Sequence, residues 1–319
     1  MEEKMKILIG YDGSASADGA LGDLQQAGLP DECVALVMSV AEVWLPPPPP
    51  SSYEIREMTE SSPKSAGPHF TYEKQLRAVE DAKSNAERAA IRLKTNFPKW
   101  DISTEGTSGS PAWELIFKAE RWKPQLIVVG SQGRSALGRF VLGSVSQKVL
   151  AEAACSVRVA RGRVEEPSPV RIIVGIDGSA GAEAAVREVA ARKWPAQSEA
   201  KVVVVDDPME PTMVGEWIPG VPQSVADIDL EYRKQAIVMV EDAAKRLNSQ
   251  NLKATGIVEE GNPKHVIVRL AEEWGANCIF VGSTGFSSRL ERFLIGSVAS
   301  AIASRAHCSV EVVREAKNG

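Results

Sequence analysis

The chain is poor in the residues that build metal sites and disulfide frameworks. It has four cysteines, Cys33, Cys155, Cys278 and Cys308, and three histidines, His69, His265 and His307. No C-x-x-C pair occurs and the histidines are far apart, so no metal site of protein ligands alone is expected, and the cysteines read as buried, reduced thiols. Basic runs are also missing, and with a net charge of −5 and a pI near 5.5 nucleic acid is not an expected partner. No apolar run reaches the ~18 residues that a membrane helix needs. The opening MEEKMKILIGYDGS is acidic and passes straight into a strand, without the apolar core of a signal peptide. A cytoplasmic protein without a membrane partner is the expectation.

Several catalytic signatures are absent. There is no G-x-x-x-x-G-K-[ST] loop, no G-x-G-x-x-G after a strand, no G-x-S-x-G elbow, and no histidine grouped with a nucleophile. No residue is therefore assigned a catalytic role. A bound nucleotide without a positioned base would turn over slowly at most.

What is present is a strand, a glycine loop and a helix, found twice. Leu126–Val129 is a short continuous apolar run, read as a buried parallel strand, and it stops at Gly130. Gly130 and Gly133 bracket a turn. Nine residues later Gly143-Ser144 opens VSQKVLAEAA, whose apolar positions recur at helical spacing. Free amides at that helix start, the positive end of its dipole and the Ser144 hydroxyl describe a phosphate cradle. Near the C-terminus CIFVGSTGFSSRLERFLIGSVASAIASRA repeats it with Gly282, Gly285 and Gly296-Ser297, across a spacer one residue longer.

Glycine loops of this form, G-x-x-G, about nine residues, then G-[ST], resemble the nucleotide-binding signature of ATP-binding universal stress proteins. The resemblance extends over nearly the whole chain as a tandem pair. It implies an α/β fold of two tandem doubly wound parallel-sheet domains, of the universal stress protein or adenine-nucleotide alpha-hydrolase type.

The rest of the chain repeats accordingly. Met5–Gly10 followed by Asp12-Gly13-Ser14 matches Arg171–Gly175 followed by Asp177-Gly178-Ser179, and 165 residues separate both Asp12 from Asp177 and Val40 from Val205. Gly109-Ser110-Pro111 matches Gly261-Asn262-Pro263 at 152 residues, which leaves 13 extra residues in the first half. The proline- and serine-rich stretch 46–68 holds them as a surface insertion, either a spacer or a lid. Helices are expected over Tyr72–Asn96 and Leu230–Asn248, each leading to a strand that ends near Glu105 or Glu259. Ser110 and Asn262 are read as N-caps ahead of first-turn prolines. The last strands, Ser156–Ala160 and Ser309–Val313, alternate so as to leave one polar-tipped face. Domain boundaries follow at 1–162 and 170–319, joined by a charged, proline-punctuated linker at 163–169 within the stretch Arg161–Pro169.

The resemblance also implies roles. Asp12 and Asp177 face the nucleotide and support Mg²⁺ through water or touch ribose; as plain Asp-Gly-Ser turns they would instead cap the following helices. Val40 and Val205 offer backbone groups to adenine. Gly130, Gly133, Gly143, Ser144 and Val145 hold ribose and phosphates in the first half, and Gly282, Gly285, Gly296, Ser297 and Val298 in the second, where the longer spacer makes the site less secure. Arg134, Arg139, Arg289 and Arg292 lie on the loops, solvated or within reach of phosphate. The two halves are expected to pair through their last strands as a dimer inside one chain, with a further homodimer open. The implied function is an ATP- and Mg²⁺-binding stress or signalling module acting on a protein partner; the alternative is a slow ATP hydrolase or phosphoryl-transfer enzyme.

Overall fold

The computed structural model describes residues 4–43, 68–133, 142–161, 169–206, 221–250, 252–283 and 295–315, with the side chains of 68–72 and 221–229 excepted. The insertion at 46–67, most of the linker, Gly285 and the four loop arginines lie outside the described residues.

Strands alternate with helices throughout. The first half runs β1 (Met5–Gly10), α1 (Ala15–Asp23), a 3-10 turn at Leu24–Gln26, β2 (Cys33–Ala41), α2 (Pro68–Asn96), β3 (Asp101–Ser108), α3 (Pro111–Trp122), β4 (Leu126–Gly130), α4 (Ser144–Glu152) and β5 (Ser156–Ala160). The second repeats it as β6 (Arg171–Gly175), α5 (Ala180–Ala191), β7 (Glu199–Asp206), α6 (Val221–Asn248), β8 (Lys253–Glu260), α7 (Pro263–Trp274), β9 (Cys278–Gly282), α8 (Ser297–Arg305) and β10 (Ser309–Val313). The strands form one sheet in the order β3-β2-β1-β4-β5-β10-β9-β6-β7-β8. Within each half every neighbouring pair is parallel, whereas β5 and β10, where the halves meet, are antiparallel.

Parallel strands with crossover helices bury both faces, which is why the central strands read as continuous apolar runs. One face of the first half packs Ile7, Ile9, Val37 and Val128 against Leu21 of α1 and Ala86, Ala89 and Leu93 of α2. The corresponding face of the second half packs Ile172, Val174 and Val202 against α5 and α6. The opposite face is common to both halves: Leu8, Ile127, Ile173 and Ile279 lie in one core with residues of α3, α4, α7 and α8.

Two helix starts are corrected. α2 begins at Pro68 rather than Tyr72, because a proline fits the first helical turn and so belongs to the helix although it closes a proline-rich run. α6 begins at Val221 rather than Leu230; its first turns, VPQSVADID, carry a proline and polar residues that hide the apolar period. Ser110 occupies the N-cap of α3 without a side-chain capping bond, while Asn262 does cap α7 by accepting from the Lys264 amide at 3.0 Å. The last strands have no solvated face: all five residues of each are buried, including Arg158 and Glu311. No disulfide links the cysteines, of which Cys155 is half-buried and the other three are buried.

Candidate functional site

β1 lies in the middle of its half-sheet, with β2 on one side and β4 on the other. The chain leaves β1 and β4 in opposite senses, so a crevice opens at their carboxyl ends, where open parallel sheets place ligands. β6 and β9 repeat this arrangement in the second half.

Asp12 follows β1. Its Oδ1 accepts from the Ser14 amide at 2.9 Å, forming a turn through Gly13 at φ 78°, and Ser14 Oγ in turn accepts from Ala17 N at 3.1 Å. Ser14 is thus the N-cap of α1, and the reading of Asp12 as that cap is replaced by an Asx turn one step upstream. Asp177 and Ser179 do the same before α5. In both halves this leaves the aspartate at the crevice mouth, with one oxygen committed to the turn.

The loop after β4 is pressed against that turn. A Cβ on Gly130 would sit 2.8 Å from Ser16 Oγ and 3.0 Å from the Ser16 backbone, so only glycine lets strand end and helix start approach so closely. A Cβ on Gly133 would lie 3.3 Å from Asp12 Oδ2, and one on Gly143 would lie 3.3 Å from the Gln132 Cα and 3.5 Å from the Gly133 amide nitrogen. Asp12, Gly133 and Gly143 therefore converge. The Gly143 amide donates to Ser131 O at 2.8 Å and closes the loop. Gly143 is the N-cap of α4 and supplies no side chain to it, so the first amides of α4, at exposed Ser144 and half-buried Val145, begin the helix without a side-chain cap. Val145 also packs on the shared core.

Val40 reaches the same crevice through its backbone. Met38 O accepts from Tyr11 N at 2.9 Å on the β1 side, and in a parallel strand alternate residues turn their amide and carbonyl the same way. The Val40 peptide groups consequently point past the end of β1. Val205 repeats this, because Val203 O accepts from Ile176 N at 2.9 Å.

Two serines that sequence reasoning passed over hold the first loop. Ser16 Oγ accepts from Gln132 N at 3.1 Å, and Ser146 Oγ donates to Gly130 O at 2.5 Å. The second half has Gly181 and Ala299 at these positions. There a Cβ on Gly282 would come within 2.4 Å of the Gly181 carbonyl carbon, so contact between backbones takes the place of the hydroxyls. Gly296 N donates to Ser283 O at 2.6 Å, and Ser297 and Val298 open α8 behind an equally uncapped Gly296. Comparing the two halves at equal offset was the signal that could have found both serines.

Among the described residues no group of three or more histidine, cysteine or acidic side chains could hold a metal ion. No helix among the described residues is long and apolar enough to cross a membrane.

A model of the Universal stress protein family matches residues 4–161 and again residues 170–314. A universal stress protein of Mycolicibacterium smegmatis is 27% identical over 316 residues, which covers 97% of this chain and 96% of the relative. Among solved structures, a universal stress protein from Archaeoglobus fulgidus matches with a TM-score of 0.58 at 21% identity over 98% of both chains. A functionally unknown protein from Pseudomonas aeruginosa matches with a TM-score of 0.59 at 14% identity, covering 98% of this chain and 92% of its own. At these identities the two structures speak for the fold.

Proposed function

Since the chain belongs to the universal stress protein family in both of its halves, we propose that it is an ATP-binding module for stress response or signalling, with its firmer site in the first half. The observation that carries this reading is the convergence of the Asp12 carboxylate, Gly133 and the side-chain-free N-cap of α4 at one crevice. Backbone amides at a helix start suit phosphate oxygens, and close approach demands glycine. The Val40 peptide groups offer one donor and one acceptor, the pattern that an adenine edge needs. Asp12 would face Mg²⁺ held on the phosphates, through water.

On this reading occupancy rather than turnover is the output, in keeping with a sequence that groups no histidine with a nucleophile. Nucleotide can switch such a protein only by binding one of its conformations better than another. Titration with ATP–Mg²⁺, followed by calorimetry, tests the reading. The Gly133→Val variant places a branched side chain against Asp12 and should lower the affinity of the first site at least about tenfold. Equal affinity in the variant, or no binding by the parent protein, would contradict the proposal. Steady turnover abolished by Asp12→Ala would replace the module with a hydrolase.

A further inference from the structure

β5 and β10 are equivalent strands, because Ser156 and Ser309 are 153 residues apart, as are Arg158 and Glu311. They pair as Val157 with Val312, Arg158 with Glu311, and Val159 with Val310. This register is symmetric about its middle pair, so a pseudo-two-fold axis passes between Arg158 and Glu311, which occupy the same position in their own halves. A half paired with its own kind in this register would set Arg158 against Arg158 or Glu311 against Glu311. Neither side chain has any solvent exposure, and like charges directly opposite in a ladder destabilise it.

Each charge also has a partner in its own half, Asp23 for Arg158 and Arg192 for Glu311, while further bonds cross the boundary. Arg158 donates to Asp23 through Nε at 2.6 Å and Nη2 at 3.2 Å, and to Glu311 through Nη1 at 3.2 Å. Glu311 also receives Arg192 Nη1 at 3.0 Å and pairs with Arg192 Nη2, and Ser309 Oγ donates to Asp23 at 2.6 Å across the boundary. Burial works against the charge of Arg158, but Asp23 and Glu311 outweigh it and keep the guanidinium above its ordinary pKa. Burial pushes the Glu311 carboxyl up, against the pull of Arg192 and Arg158.

Size differs as well as charge. By the 165-residue offset Ala27, Gly28 and Leu29 correspond to Arg192, Lys193 and Trp194. These segments meet: Ala27 O accepts from Arg192 Nη1 at 2.7 Å, Gly28 O accepts from Lys193 N at 2.9 Å, and a Cβ on Gly28 would lie 3.0 Å from the Trp194 ring. Two second halves would confront Arg192 with Arg192 and put a lysine where Gly28 makes room for Trp194. Two first halves would leave the arginine and tryptophan volumes empty.

We propose that these surfaces are addressed to each other: the first half's β5–Ala27–Gly28 surface takes only the second half's β10–Arg192–Trp194 surface, and like halves do not pair through these strands. The chain then closes on itself or exchanges halves reciprocally with a second copy. Assembly through two first halves or two second halves is shut off.

A protease site placed between Arg161 and Pro169 of the full-length protein tests this. The folded chain is cleaved, mixed with an isotopically labelled cleaved sample and weighed by native mass spectrometry. First–second pairs should persist, whether or not label passes between them, with like-half pairs rarer by at least about tenfold. Like-half pairs in comparable amount, or separation of the cleaved protein into single halves at micromolar concentration, would overturn the proposal. In a second arm Glu311→Arg sets like charges opposite each other, and the cleaved variant should come apart at a concentration at least about tenfold higher. Cleaved variant and cleaved parent dissociating alike would also overturn it.

Discussion

Arg158 and Glu311 meet at 3.2 Å in the centre of the β5–β10 ladder, both wholly buried, at equivalent positions of the two halves that differ in charge. Arg158→Met keeps most of the volume but removes the guanidinium. Asp23 then retains the Ser309 hydroxyl, and Glu311 retains Arg192. Removing one partner of a buried pair costs about 3–5 kcal/mol. A urea titration should show the midpoint falling accordingly, and an unchanged midpoint would mean that the cluster is neutral to stability.

Helix α3 ends at Lys123 in the left-handed region, φ 52°, whereas α7 ends at the equivalent Gly275, φ 66°. A side chain there costs about 1 kcal/mol. Lys123→Gly should raise stability by about that amount and Gly275→Ala should lower it similarly, as thermal unfolding can measure. A loss of stability on Lys123→Gly or a gain on Gly275→Ala would contradict the backbone argument.

Burial pushes the Cys33, Cys278 and Cys308 thiols up to about 12, and Cys155 to about 11. The thiolate is the reactive form, so native protein at pH 8 should resist iodoacetamide and react fully only once unfolded. The sign for stability follows from the same shifts. Folded pKa values above the ordinary 9.0 mean that the folded state holds these protons more tightly, so their contribution is complete below pH 9 and is lost as pH rises towards 12. Melting temperature should therefore fall across that window, and rapid alkylation of the native protein at pH 8 would contradict the burial.

Ser16 and Ser146 fasten the first loop and have no hydroxyl counterpart in the second half. Each hydrogen bond is worth about 1 kcal/mol, so Ser16→Ala or Ser146→Ala should weaken nucleotide binding in the first half about fivefold. Binding in the second half should not change. Calorimetry on the single variants separates these outcomes, and equal losses in both halves would point to general loosening instead.

The order of strands and helices was legible because a buried parallel strand and an amphipathic helix leave different periods, and the 165- and 152-residue offsets tied the halves together. Gly133 and Gly143 stood out because glycine loops recur at fixed spacing, and Asp12 because Asp-Gly-Ser recurs 165 residues later. Arg158 and Glu311 were not: alternation in Ser156–Ala160 looks the same whether the polar tip meets water or a partner 153 residues away. Their burial is a property of how the halves pair. Ser16 escaped notice for a similar reason, since its hydroxyl acts on Gln132 across 116 residues.

The central claim is tested most directly by denaturing freshly purified protein and counting the released nucleotide by chromatography, with Gly143 and Gly296 separately changed to leucine. Adenine nucleotide bound to the parent and lost on Gly143→Leu is the predicted result, and the Gly296→Leu sample then reports whether the second half is also filled. A parent protein that carries no nucleotide and takes up none from added ATP–Mg²⁺ would reduce these glycines to turns that keep the fold and would contradict the account.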